Sequence, residues 1–113
     1  SSLAHVHLAT GQVQAAEEEA RHALQLLSDR EDFLLEIAST QLVLGRALME
    51  QDRLDDAQDM LRTAEGNAEQ IESISHRAAA WMAQGDLAAR RGEDASAARL
   101  YRQAAEALQD VRF

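Results

Sequence analysis

Four histidines and twenty carboxylates are the side chains of this sequence that could bind a metal ion or transfer a proton. His5 and His7 are two residues apart, so on a helix they point in different directions, and His22 and His76 lie far from them. A metal site favours ligands one helical turn apart or in closely spaced pairs, and these histidines offer neither. The sequence also holds no nucleophile–base pattern, phosphate-binding loop or metal-hydrolysis motif. We therefore predict that this protein is not an enzyme and binds no metal or cofactor.

Two pairs of opposite charges stand four residues apart. Arg46 precedes Glu50, and Asp86 precedes Arg90. Residues at this spacing are neighbours on a helix, where such a pair contributes roughly 0.2–0.5 kcal/mol. We predict ion pairs within each helix rather than residues that recognise a ligand.

The charge of the chain argues against one class of partner. Its 113 residues include twenty acidic and eleven basic ones, all arginine, for a net charge of −9. Phosphate backbones are bound by basic surfaces, so we do not expect this segment to bind nucleic acid. Many of the acids fall between Glu50 and Glu72, a run typical of a solvated face, with a docking face for a basic partner as the alternative.

The chain has no cysteine and no apolar run long enough to cross a bilayer. These features predict a cytoplasmic protein without disulfides and without a membrane partner. Because the sequence begins at Ser1 rather than at a methionine, we expect a fragment of a longer protein.

Small residues recur along the chain at intervals of 41 and then 40 residues. Three sets share these intervals, namely Ala16, Ala57 and Ala97; Ala23, Ala64 and Ala104; and Ala4, Gly45 and Gly85. A shared period of this length indicates three copies of one supersecondary unit. A single helical hairpin cannot bury its own apolar face, so such units stack on one another.

Composition and turn residues place the helices. Ala, Leu, Glu, Arg and Gln dominate the sequence, and all five favour helices. Breaks at Gly11, 28–32, 52–53, 73–75 and Gly92 predict six helices, roughly over 2–10, 13–28, 32–50, 54–71, 75–91 and 94–110. Ser73 or Ser75 is predicted to cap the fifth helix, and Gly92 to end it.

With these units the chain resembles the tetratricopeptide repeat family, whose pattern runs W-x2-L-G-x2-Y, then A-x3-F, then a small residue. The third unit carries Trp81-x2-Gln84-Gly85-x2-Ala88, Ala97-x3-Tyr101 and Ala104, and the second carries Gln41-x2-Leu44-Gly45-x2-Leu48, Ala57-x3-Leu61 and Ala64. The resemblance implies an all-α fold, a right-handed α-solenoid of three helical hairpins with six antiparallel helices. The resemblance also implies a single domain over 1–113, with repeats at about 1–30, 31–72 and 73–113.

The family pattern also implies which residues hold the repeats together. Gly45 and Gly85 let the second helix of each pair approach closely, and Ala57 and Ala97 do the same from the other side. The full set of predicted packing residues is Ala16, Gly45, Ala57, Trp81, Gly85, Ala97 and Tyr101.

In the family, the first helices of the pairs line a concave groove that holds partner peptides. The matching positions here are His5, Leu8 and Ala9 in the first repeat, Ser39, Leu42, Arg46, Met49 and Glu50 in the second, and Ala79, Met82, Asp86, Ala89 and Arg90 in the third. The resemblance thus implies a scaffold that binds a peptide or helix of a partner protein. The charged clamp that some members use for acidic C-terminal peptides is not evident. The alternative is that these residues pack against an adjoining helix of the full-length protein.

Two other functions are consistent with the same sequence. One is the ligand- or peptide-sensing effector domain of a bacterial transcription regulator, and the other is a structural segment that oligomerises. The second draws on an apolar stripe near the C-terminus, formed by Leu100, Ala104, Ala107, Leu108 and Val111. Because no later helix covers this stripe, we predict a two-fold homodimer through the terminal helices.

Overall fold

The computed structural model describes residues 12–27 and 30–109. Within these ranges the chain is helical and holds no strand. The five α-helices are α1 (Val13–Leu27), α2 (Leu34–Glu50), α3 (Leu54–Gln70), α4 (Ile74–Arg90) and α5 (Asp94–Gln109), and a 3-10 turn at Glu31–Phe33 leads into α2. Each of the five agrees to within two residues with a helix predicted from the sequence, because the turn residues mark the boundaries.

The predicted six-helix solenoid is wrong. The structure describes five α-helices, and the range predicted for a further one, 2–10, lies outside the described residues. A solenoid unit contacts only its neighbours, whereas here four helices contribute to one shared core. The radius of gyration of 13.7 Å is that expected of a compact domain, and the extents are 33 × 33 × 23 Å. The arrangement is a small helical bundle.

The shared core lies between α1, α2, α3 and α4. Its fully buried members are Leu44 and Leu48 of α2 and Leu61 of α3, and Ala20 of α1 and Leu87 of α4 pack against them. α2 and α4 each pack against three other helices. This central position explains why α2 is apolar on several faces rather than along one stripe.

A second, smaller cluster holds α5 on α4. Trp81 of α4 is buried against Ala78 and Ala104, with Leu100 and Ala107 of α5 packed around them. The guanidinium of Arg77 lies over the Trp81 ring, 4.9 Å from its centroid. Trp81 therefore packs within the third unit, as its place in the repeat pattern predicted.

Glu17 links α1 to the turn that follows α2. Its carboxylate accepts hydrogen bonds from Gln51 at 2.9 Å and from Arg53 at 3.0 Å, and it pairs with Arg21 on its own helix at 2.8 Å. Burial opposes the charge of Glu17, but the hydrogen bonds from Gln51, Arg21 and Arg53 outweigh it and hold the pKa of Glu17 below its usual value.

Three turns of the same design connect α2 with α3, α3 with α4, and α4 with α5. Asp52, Glu72 and Gly92 each adopt a positive φ, of 61°, 57° and 78°. In each turn the next amide donates back to a carbonyl five residues earlier, as in the 3.0 Å bond from Arg53 N to Leu48 O. This is the Schellman arrangement that ends a helix, and short turns of this kind make successive helices antiparallel. Gly92 ends α4 as predicted.

Glu72→Gly is expected to stabilise the protein by about 0.5–1 kcal/mol, because a side chain is disfavoured at positive φ and glycine is not. Gly92→Ala is expected to destabilise it by about 1 kcal/mol for the same reason. Urea unfolding monitored by circular dichroism measures both. A loss of stability in Glu72→Gly would contradict the left-handed conformation at this turn.

The two glycines of the repeat pattern lie at close helix contacts. A Cβ added to Gly45 would lie 2.5 Å from Cδ2 of Leu61, and one added to Gly85 would lie 2.6 Å from Cε1 of Tyr101. Real Cβ atoms essentially never come this close to another atom, so a larger residue at either position would force the facing side chain to shift. Gly45 and Gly85 thus lie where the second helix of each pair approaches closely, as the repeat pattern predicts.

Candidate binding cleft between α2 and α4

A cleft of about 340 Å³ opens between α2 and α4. Its walls are Ser39, Leu42, Val43 and Arg46 from α2, with Ser75, His76 and Ala79 from α4. These positions recur every three or four residues, so each helix turns one face toward the cleft. The lining is mainly apolar with polar groups at its margins, which is the usual character of a binding site.

His76 bridges the two helices at one end of the cleft. Its Nε2 lies 2.8 Å from the hydroxyl of Ser39 on α2, and its Nδ1 lies 2.6 Å from the hydroxyl of Ser73. Ser73 also caps α4, because its hydroxyl accepts from the backbone N–H of His76 at 3.3 Å. The predicted cap is thus confirmed, and it fixes the ring that closes this end of the cleft.

Both described partners of the His76 ring are hydroxyls. In a nucleophilic triad a carboxylate usually orients the histidine and stabilises its charged form, and here the residue in that place is Ser73. The arrangement suits a fixed hydrogen-bonding group in the wall of a binding cleft.

At the other end, charged residues pair across the two helices. Arg46 donates to Asp86 at 2.9 Å, and Arg90 donates to Glu50 at 2.6 Å and to the backbone carbonyl of Met49 at 3.2 Å. The predicted pairs within each helix, Arg46 with Glu50 and Asp86 with Arg90, are therefore wrong. α2 and α4 lie side by side with equivalent positions level, so the opposite charge on the neighbouring helix is the partner reached.

Tyr101 of α5 extends this network. Its hydroxyl donates to Asp86 at 2.5 Å. The hydrogen bond to Asp86, together with burial and the negative charge of Asp86, raises the pKa of Tyr101 above its usual value. The folded protein holds this proton more tightly than the unfolded chain does. The resulting stabilisation is therefore present below the ordinary tyrosine pKa and is lost as the pH rises through the raised one.

The structure brings together part of the predicted groove. Leu42 and Arg46 line the cleft, and Asp86 and Arg90 pair with residues at its rim. Met49 is only 2% exposed and belongs to the core. The prediction that Met49 faces a partner is wrong, because α2 is covered on that side as well.

Other predicted groove residues lie away from the cleft walls. Met82 is 43% exposed on α4, and Ala89 is exposed near the end of the same helix. His5, Leu8 and Ala9 lie outside the described residues. Ser39 and Ala79 were predicted to face the groove and do line the cleft, whereas sequence reasoning missed Val43, Ser75 and His76. The one available signal was the three-residue spacing between Ser73 and His76, which is typical of a capped helix start.

The predicted packing residues lie at helix contacts. Those that the structure buries are Ala16, Gly45, Ala57, Trp81, Gly85 and Ala97, and Tyr101 is partly buried. Of the predicted apolar stripe, Ala104 is buried between α4 and α5, whereas Leu108 is 48% exposed and Val111 lies outside the described residues. The homodimer stays a prediction.

Within residues 12–27 and 30–109, no three histidine or carboxylate side chains lie close enough together to hold a metal ion. None of the helices there combines the length and apolar character that crossing a bilayer requires.

The chain matches no known family model, no curated protein and no solved structure. Its resemblance to the tetratricopeptide family therefore stays a prediction made from the residues.

Proposed function

We propose that this protein is an interaction module that binds a short, electrically neutral segment of a partner protein in the cleft between α2 and α4. The observation that carries the proposal is the apolar floor of the cleft, formed by Leu42, Val43 and Ala79, between polar ends. α2 and α4 also correspond to the first helices of two repeats, on which the tetratricopeptide resemblance places partner peptides.

The charges at the rim favour a neutral occupant. Arg46 is neutralised by Asp86, and Arg90 by Glu50. All four side chains are partly exposed, so these pairs contribute little to stability and leave no strong field of either sign. A charged segment would have to break a pair to find a partner. An aliphatic side chain can instead fill the floor, with the backbone beside it hydrogen-bonding to Ser75 or to the bridging Ser39 and His76.

The size of the cleft supports a second candidate, the ligand-sensing effector domain. A volume of about 340 Å³ lies at the lower end of the range for small-molecule pockets. A small apolar ligand would use the same floor and the same polar groups. The two candidates differ in whether contacts extend beyond the cleft along α2 and α4.

The test is a selection of random displayed peptides on the protein, followed by chemical-shift mapping of a selected peptide. We expect the peptide to carry an aliphatic residue between uncharged neighbours and to shift the amides of Leu42, Val43 and Ala79. Ala79→Arg places a bulky side chain in the lining of the cleft and should weaken binding by at least about tenfold, since it fills space that the peptide would occupy. Ala105→Arg, the same change at an exposed alanine of α5, should leave the affinity unchanged.

Three results would count against the proposal. Peptides whose shifts cluster on Asp55, Asp59 and Glu69 would make the acidic face the docking surface. A small apolar ligand that fills the cleft while no peptide binds would favour the effector domain. A second copy that occupies the cleft, detected as a dimer by sedimentation velocity and abolished by Ala79→Arg, would make the chain an oligomerisation segment.

A further inference from the structure

A second cleft, of about 190 Å³, lies between α3, α4 and α5. Three arginines line it, one from each part of this region, namely Arg62 on α3, Arg91 at the end of α4 and Arg99 on α5. Glu93 is the one acidic residue among the residues that line it. Such a concentration of positive charge is unexpected in a chain whose net charge is −9.

Arg91 has partners within the described ranges, whereas the other two arginines have none there. Arg91 donates to Asp55 at 2.8 Å and to Gln58 at 3.3 Å. Arg62 and Arg99 form no ion pair with any residue of 12–27 or 30–109. In contrast, Arg46 and Arg90 beside the first cleft are each paired with an acid. Arg62 and Arg99, both exposed to solvent, therefore carry positive charge that no acid of the described ranges neutralises.

The chemistry of the lining indicates the kind of anion. Guanidinium groups bind the oxygens of phosphate through parallel, charge-assisted hydrogen bonds, and several can share one phosphate. Beside the arginines, Leu87, Ala88 and Leu100 give the cleft an apolar wall. A compact dianion with a small apolar group satisfies both parts.

The rest of the surface excludes a long polyanion. The arginines attract an anion that lies within the cleft. A longer anionic chain would extend past them and be repelled by the surrounding acidic side chains, whose charge acts over a Debye length of about 8 Å. A nucleic acid would meet these acids along its length, but a single phosphate group would not.

We infer that this second cleft is a binding site for a small organic phosphomonoester, held by Arg62 and Arg99 with its organic group against Leu87 and Leu100, while Arg91 stays paired with Asp55 at the edge of the site. The site is separate from the cleft between α2 and α4 and lies beyond the proposed function. Either can hold if the other fails.

Phenyl phosphate is the probe that tests the inference, because it joins the dianion to an apolar ring. Chemical shifts of the backbone amides are followed at about pH 7.5, where a phosphomonoester is largely a dianion, with the ionic strength held constant by sodium chloride. We expect saturable shifts at Arg91, Ser96 and Leu100. Arg62→Gln and Arg99→Gln should each weaken binding by about tenfold, since each removes a charged hydrogen-bond donor.

Arg102→Gln is the matched control, because Arg102 is an exposed arginine of α5 that does not line the cleft. It removes the same charge and should leave the dissociation constant within about twofold of the wild-type value. Phenyl sulfate, a monoanion of the same shape, should bind about tenfold more weakly. The inference fails if phenyl phosphate gives no saturable shifts. It fails equally if Arg102→Gln weakens binding as much as Arg99→Gln, or if phenyl sulfate binds as tightly. Thermal unfolding of each variant confirms that the fold is intact.

Discussion

Gly85→Ala is expected to lower the free energy of unfolding by about 1–2 kcal/mol, although alanine is the better helix former. The added Cβ would lie 2.6 Å from Cε1 and 2.8 Å from Cδ1 of Tyr101. The Tyr101 ring is rigid and its hydroxyl is held by Asp86, so it cannot move aside without losing that bond. Overpacking of this kind costs about 1–3 kcal/mol, which exceeds the gain of about 1 kcal/mol in helix propensity.

Gly66→Ala provides the matched control. Gly66 lies in the interior of α3, and a Cβ added there meets no atom within 4 Å. The same substitution should therefore raise the free energy of unfolding by about 0.5–1 kcal/mol. Urea unfolding of both variants measures the difference, which should reach about 2 kcal/mol in favour of Gly66→Ala.

A second measurement separates the clash from a general loss of stability. Tyr101 is the one tyrosine of the chain, so its ultraviolet absorbance reports a single phenol. If the new methyl group displaces the ring from Asp86, the raised pKa of Tyr101 should fall toward its usual value in Gly85→Ala and stay raised in Gly66→Ala. Stabilisation by Gly85→Ala with an unchanged titration would show that α4 and α5 are further apart than described.

The helices and their closest contacts could be predicted because both depend on local or periodic signals. Turn residues at Asp52, Ser73 and Gly92 mark three of the boundaries, and helix-forming residues fill the intervals. The close approach of neighbouring helices at Gly45 and Gly85 follows from a repeat that places a small residue on the first helix of each pair. Such signals depend on residue types alone, so they can be recognised in a sequence before the packing of the helices is known.

The cleft depends on features that residue types do not encode. Arg46 has an acid four residues away on its own helix, yet pairs with Asp86, which is forty residues away. Only the side-by-side placement of α2 and α4 decides between the two. The same holds for Met49, whose burial reflects how many helices surround α2, and for the contact between Ser39 and His76, which joins two helices. The prediction of a solenoid was wrong for a related reason. A repeat period does not reveal whether the repeated units share one core.

Leu61→Ala is expected to have the largest effect on stability of any change considered for this protein, about 2–5 kcal/mol. Leu61 is fully buried and belongs to the core shared by α1, α2, α3 and α4. In the wild-type protein the end of the Leu61 side chain fills the space next to Gly45, where a Cβ at position 45 would lie. Truncation to alanine therefore leaves a cavity beside Gly45. The surrounding helices can collapse only partly into that space.

Gly45→Ala should reverse its sign in this background. Alone, it forces a methyl group against Cδ2 and Cγ of Leu61 and should destabilise the protein. In Leu61→Ala the same methyl group enters the cavity and α2 gains helix propensity, so it should restore about 1 kcal/mol or more of the lost stability. Met60→Ala is the control, since Met60 packs on the same core from the same helix but supplies none of the three atoms nearest to a Cβ at position 45. The coupling measured by urea unfolding should therefore be at least about 1 kcal/mol for Gly45 with Leu61 and close to zero for Gly45 with Met60. Additive effects in the first pair would mean that the two side chains do not share a contact, and that the match between small and large residues in the repeat is not what holds α2 against α3.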